Sequence, residues 1–421
     1  MGLESDRQES PSRSTHTSHT ATAQASSVVP LPSASSPQIL PLIVCAVLAH
    51  AALTGSRVTV SLAALDSGAS ALFVGLAIGM FGLFPLLLAI TMGRWVDRVG
   101  TQWPMRVGFA IELAGLAIAT FGPYPWALLP AALLIGTGVS MTQLTMQATV
   151  GLSFDAASRP QGFAKLAIGA SIASFSGPVI CGFLIDHAGG HRVAFAVMSS
   201  FALAALLWQW RLANTRAELF PPPHPHDPQK PRALADLLAD PKLRAIFFLS
   251  VALAVAWDTF QFIMPIHGQK IGLSASTIGL LLGTFASAIF LVRLMMNHLN
   301  RRYASWTILR AVFVVSTLVF VALPFVHALP LLFVCAFILG FALGASQSNM
   351  LSLLHDAVPP ARAGEAIALR QTFGNASSFA LPAAFGAAGA VVGFVGLFAM
   401  VAIMLTASTA MAHRQIRQSS A

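Results

Sequence analysis

Twelve apolar runs constrain this chain more than any other feature. They fall at about 38–62, 71–92, 104–122, 126–150, 163–186, 192–212, 245–267, 274–296, 305–325, 329–353, 367–387 and 391–411. A helix needs roughly 20 such residues to cross the hydrocarbon core of a bilayer. The runs are too long and too uniform for barrel strands, and a helix satisfies its own backbone hydrogen bonds in lipid. The sequence therefore predicts an all-α membrane protein with twelve transmembrane helices. Composition agrees, with 56% hydrophobic and 9% charged residues, which excludes almost every soluble enzyme.

The few charges are informative by position. A net charge of +9 suggests nucleic acid when it gathers on one face. Here the loops after every second run carry it, in Arg94, Arg98, Arg106, Arg159, Arg211, Arg216, Lys230, Arg232, Arg301, Arg302 and Arg362. The alternate loops hold Asp66, Asp186, Arg192 and Lys270. Lys and Arg excess marks the cytoplasmic side, so both termini are expected there, in a multi-pass protein of a bacterial-type inner membrane. The lipid bilayer is the expected partner, and nucleic acid is not. Residues 1–37, rich in Ser, Thr, Ala and Pro, read as a disordered cytoplasmic tail without the apolar core of a secretory signal. Residues 412–421 form a short basic tail, and 213–244 a Pro-rich cytoplasmic linker. His224 and His226 in that linker have no third His or Cys nearby, and Cys45, Cys181 and Cys335 sit in apolar runs. Neither a metal nor any other cofactor is expected.

The linker separates two similar halves, 38–212 and 245–411. Pro178 and Pro382 share an offset of 204 with Gly182 and Gly386, and Arg159 and Arg362 differ by 203. Gly136-Thr137-Gly138 aligns with the stretch Gly340 to Gly344; Gln143 and Gln147 follow one, Gln347 and Asn349 the other. Two pseudo-symmetric six-helix bundles, with a site between them at mid-membrane, are a common plan of secondary transporters.

The loop after the second run carries Gly93-Arg94-Trp95-Val96-Asp97-Arg98-Val99-Gly100. With the span count and central linker, this resembles the loop 2–3 signature of the major facilitator superfamily, although Thr101-Gln102 replaces the usual basic pair. Gly93 and Gly100 are expected to form a tight turn. Asp97 is placed to accept N–H groups at a helix N-terminus, with Arg94 and Arg98 pairing to carboxylates. The resemblance implies that this cluster latches one access state. Gly177-Pro178-Val179-Ile180-Cys181-Gly182 in the fifth run resembles a helix-bending motif of the drug–proton antiporter branch, with Cys181 where that motif has a glycine. The span-four arginine of that branch is absent between Pro130 and Met146.

Charges inside the membrane are expensive and face a cavity or a partner. The candidates are Arg57 in span one, with His50 before it, Glu112 in span three and Asp258 in span seven. Arg57 either snorkels toward the interface near Asp66 or serves as a cavity cation that pairs with Asp258. Asp258 is the leading proton-coupling group, with His50 and Glu112 behind it. Gln143, Gln147, Trp257, Gln261, Gln347 and Asn349 are expected to line the cavity, and Arg370 to gate its cytoplasmic mouth. The expectation is a monomeric transporter, not an enzyme, that moves a small organic solute by alternating access, with proton-coupled export. No phosphate-binding loop for ATP is present. Proton-coupled uptake of an organic anion and a non-transporting sensor are the alternatives.

Overall fold

The structure is a computed structural model of the 421-residue chain, and it describes residues 39–154, 158–220, 238–358 and 363–420. The expected tail, the centre of the linker and Arg362 lie outside the described residues. The helices are α1 (Leu40–Asp66), α2 (Ala71–Val99), α3 (Gln102–Phe121), α4 (Leu128–Ser153), α5 (Arg159–His187), α6 (His191–Thr215), α7 (Pro241–Lys270), α8 (Ala275–Arg302), α9 (Ser305–Ala322), α10 (Leu329–Ala357) and α11 (Ala363–Ser420). Among the described residues, 11 helical stretches are long and apolar enough to cross a membrane.

α11 holds the last two expected spans. The sequence suggested a break near Gly386–Gly389, but the helix runs through Gly386 and breaks at Gly393, with φ 72° and ψ 175°. The two glycines do different work. Gly386 lets α11 approach the Ala71 carbonyl of α2, whereas a Cβ at Gly393 would meet open space. Gly393 is thus free to take the left-handed φ that reverses the chain.

The signature after span two is also revised. Gly93 to Val99 is helical, forming the last two turns of α2, and a Cβ on Gly93 would touch nothing. The turn rests on Gly100, with φ 81°. Only one left-handed position is needed to end a helix, so Gly93 is not part of the turn. Arg94 and Arg98 are exposed and Asp97 is half-buried.

α1–α6 and α7–α11 each pack into a bundle, and the principal contacts between bundles run along two seams, α2 with α11 and α5 with α8. Glycines set both seams. Gly75 faces the Pro382 carbonyl and Gly386 faces Ala71; 204 residues apart in each case, Gly279 faces the Pro178 carbonyl and Gly182 faces Ala275. A side chain at any of these four would collide with backbone, so the helices approach closely because no Cβ intervenes. The caps repeat as well: Ser70 Oγ accepts from Phe73 N and Ser274 Oγ from Thr277 N, each at 3.2 Å. The helices alternate in direction, so these glycines lie toward the end of the bundle that carries Asp66. The opposite end carries the loop arginines and is called the basic end. Leu87, Phe121, Phe183, Leu318 and Ile403 are exposed around the outside, where a bilayer would cover them.

A candidate substrate cavity between the two bundles

The seams leave a cavity of about 510 Å³ between the bundles, within the range of small-molecule sites, roughly 300–1,000 Å³. Seven helices line it. α1, α4 and α5 contribute His50, Gln143, Gln147, Ser171 and Ser174; α7, α8, α10 and α11 contribute Ser250, Trp257, Asp258, Arg293, Gln347, Arg370, Gln371, Asn375 and Ser378. A smaller recess of about 290 Å³ adjoins it among α1, α4 and α5, sharing His50, Gln143 and Gln147.

Asp258 is buried on α7, in the middle of a 30-residue helix whose other inward residues are mostly apolar. One carboxylate oxygen lies 3.8 Å from an Arg57 guanidinium nitrogen. The other accepts a hydrogen bond of 2.6 Å from the Ser378 hydroxyl. The guanidinium carbon of Arg57 also stands 6.0 Å from the centre of the Phe81 ring, at the outer limit of a cation–π contact. Arg57 does not reach for Asp66, which instead accepts from His191 at 2.8 Å and from Gln269. Three elements from two bundles therefore converge on one carboxylate.

His50 lines the cavity from the first bundle, one helical turn before Thr54, the position that the repeat relates to Asp258. Its Nε2 lies 3.2 Å from Ser174 Oγ and its Nδ1 2.9 Å from Gln143 Nε2. Ser174 and Ser378 are 204 apart, as are Gln143 and Gln347 and the cavity residues Ser171 and Asn375. The serines and amides are thus laid out twice, while the titratable groups are not in register: each meets its serine, His50 meeting Ser174 and Asp258 meeting Ser378, from positions one turn apart in the repeat.

Arg293 breaks the symmetry. From α8 it donates to the Ala167 carbonyl at 3.1 Å and to Ser171 Oγ at 2.8 Å, both on α5, and to Gln347 Oε1 at 3.2 Å on α10. The sequence did not single it out, because it ends a long apolar run near the basic end, where an interface cation is ordinary. Ser174 and Ser378 were also missed, since small polar residues in membrane helices carry little signal of their own. Arg370 lines the same cavity.

Other expected site residues lie elsewhere. Glu112 is fully buried on α3 where Gly138 of α4 crosses its backbone, and neither carboxyl oxygen has a hydrogen-bond partner among the described residues; it does not line the cavity. Asn349 is buried, donates to the Ala345 carbonyl at 2.8 Å and is not among the lining residues, nor is Gln261. Asn349 lies two positions past Gln347, which turns it to another face of α10. Gly177 sits where α5 crosses α1 at Ala51 and Thr54, and Pro178 is accommodated inside α5.

A sequence profile of the Major Facilitator Superfamily matches residues 42–382 and 246–418. The chain belongs to the major facilitator superfamily. It is accordingly a multi-pass membrane protein of a family of secondary transporters, not of enzymes. The fosmidomycin resistance protein of Escherichia coli (strain K12) is 26% identical over 225 residues, 51% of this chain and 53% of that protein. The multidrug resistance protein MdtH of Cronobacter sakazakii is 28% identical over 166 residues, 38% of this chain and 41% of that protein. The chain thus spans about half, or less, of the curated relatives it matches. A bacterial homologue of the human lysosomal transporter Spinster, in an inward-facing and occupied conformation, superposes with a TM-score of 0.74 at 14% identity, over 91% of this chain and 98% of that one. That likeness shows the fold.

Proposed function

We propose that the chain exports a small organic solute across the inner membrane in exchange for protons, with the basic end and both termini in the cytoplasm. The observation that carries this reading is the Arg57–Asp258 pair, which joins α1 to α7 beside the cavity. Two relatives named for drug resistance support export over uptake. The inward-facing Spinster homologue supports reading the joined Asp66 end as the closed outer gate.

In this mechanism the ionised Asp258 holds Arg57 and accepts from Ser378. A proton arriving from the outer side neutralises the carboxylate and releases the guanidinium, since the attraction depends on the charge of both partners. The two bundles then separate from that contact and rock about the seams. Proton release to the cytoplasm restores the pair. The proton and the pair compete for one group, so transport and proton movement proceed together. The test is uptake into everted membrane vesicles energised by respiration, with a panel of antibiotics. The expected result is accumulation of at least one compound that a protonophore abolishes and Asp258→Asn eliminates. Accumulation by whole cells instead, with none in everted vesicles, would establish import.

A further inference from the structure

The cavity carries more positive charge than its own residues balance. Among the described residues the ion pairs are Arg57–Asp258 and His191–Asp66, so Asp258, the one lining carboxylate, already has its cation. Arg293 and Arg370 both line the cavity, and neither has a carboxylate among the described residues within ion-pair distance. Arg293 binds neutral partners only, a carbonyl, a serine and a glutamine. Arg370 makes no hydrogen bond among the described residues, and its Nε is buried without an acceptor.

The internal repeat sharpens the point. Positions 204 residues before Arg293 and Arg370 are Ala89 and Leu166. The repeated scaffold therefore does not require either arginine, whereas it does repeat the serines, the glutamines and the glycines around them. Both cations are additions to one half, and both open onto the same space. Uncompensated charge in a membrane interior is retained where something pairs with it. Guanidinium groups present forked donors that match the oxygens of carboxylates and phosphonates. Gln347, Gln371 and Asn375 add neutral amide donors beside them, and Trp257 adds an apolar face.

We propose that the cavity binds a small organic dianion, an organophosphonate or a dicarboxylate, through Arg293 and Arg370. This rests on the reading of the cavity as the transport site but not on the direction or the coupling of transport. Arg370 is the cleaner handle, because its removal breaks no hydrogen bond of the fold, whereas Arg293 ties α8 to α5 and α10.

The experiment is ligand-induced thermal stabilisation and titration of the full chain in detergent at pH 8, without any gradient. The probes are phenylphosphonate, succinate, neutral diethyl phenylphosphonate and cationic benzyltrimethylammonium. The expected result is saturable binding of phenylphosphonate or succinate, weakened on the order of 10-fold or more by Arg370→Gln and partly restored by Arg370→Lys. The ester and the cation bind no better to the wild type than to Arg370→Gln. Absence of binding by either dianion, binding that ignores Arg370→Gln, or preferred binding of the cation overturns the proposal. Asp258→Asn separates the two readings, because it keeps dianion binding while ending proton-driven transport. Dianion binding together with proton-driven transport in Asp258→Asn would defeat the coupling reading alone.

Discussion

The two seams between the bundles share a glycine register and a serine cap and differ at three polar positions, Asp186, Ser276 and Arg293. In α2–α11, Gly75, Gly79 and Gly82 face backbone at Phe379 and Pro382 or close to it. In α5–α8, Gly279 and Gly283 face Pro178, Val179 and Phe175. The second seam also carries hydrogen bonds between described residues. Asp186 accepts from Ala275 N at 3.2 Å and Ser276 N at 2.7 Å, Ser276 Oγ donates to the Gly182 carbonyl at 3.3 Å, and Arg293 bonds to Ala167 and Ser171. The places related by the repeat to Asp186, Ser276 and Arg293 are Ala390, Leu72 and Ala89. A carboxylate on the first N–H groups of a helix fixes that helix end. The comparison teaches that α5–α8 carries polar bonds in addition to the glycine packing that both seams share.

The seams share their packing logic, so the largest effects should be equal. Gly75→Val and Gly279→Val each force a side chain into a proline carbonyl. Each is expected to destabilise the protein by about 1–3 kcal/mol in thermal unfolding and to abolish transport. A large loss at one with none at the other would end the claim that the seams are equivalent in packing. Arg293→Gln removes bonds that span three helices, and a cost of about 1–3 kcal/mol is expected in the same assay. Unchanged stability would mean that the polar fastening contributes nothing. Asp186→Ala leaves the Ser274 cap and removes the acceptor of the first two N–H groups of α8, with a loss of roughly 1 kcal/mol. Spin-label distances across the Asp66 end should then widen along α5–α8 more than along α2–α11, and the reverse order would mean that these bonds do not hold the α5–α8 seam. The smallest effect distinguishes the two serine contacts. Ser378→Ala removes a bond to a carboxylate and should slow transport more than Ser174→Ala, since charge-assisted bonds are about twice as strong. Equal slowing would place His50 and Asp258 on the same footing.

Much of the fold was legible in the sequence because lipid imposes one simple rule, that a spanning segment be apolar and helical. The offset of 204 was visible in Pro178 and Pro382 because proline and glycine tolerate few substitutes at a close crossing. Arg57 and Asp258 stood out because ionisable groups are rare in such runs. Less could be read where residue type and place are ambiguous. Arg293 looks like an interface anchor until α5 and α10 are placed beside it. Glu112 has the same sequence context as Asp258, yet its helix α3 packs on α4 and α6 and turns it away from the cavity. Gly93 and Gly100 look alike in the motif, and only the backbone shows that one lies inside a helix and the other ends it. Gln261 and Asn349 were misplaced by their helical phase, which a one-residue uncertainty rotates by about 100°.

The central claim is that one carboxylate, Asp258, serves both the link between the bundles and the proton. Proton movement driven by a substrate gradient in proteoliposomes, read with a trapped pH dye, tests it most directly. The wild type should move protons opposite to the substrate, and Asp258→Asn should still bind the substrate while moving none. Substrate-driven proton movement at the wild-type rate in Asp258→Asn would contradict the account.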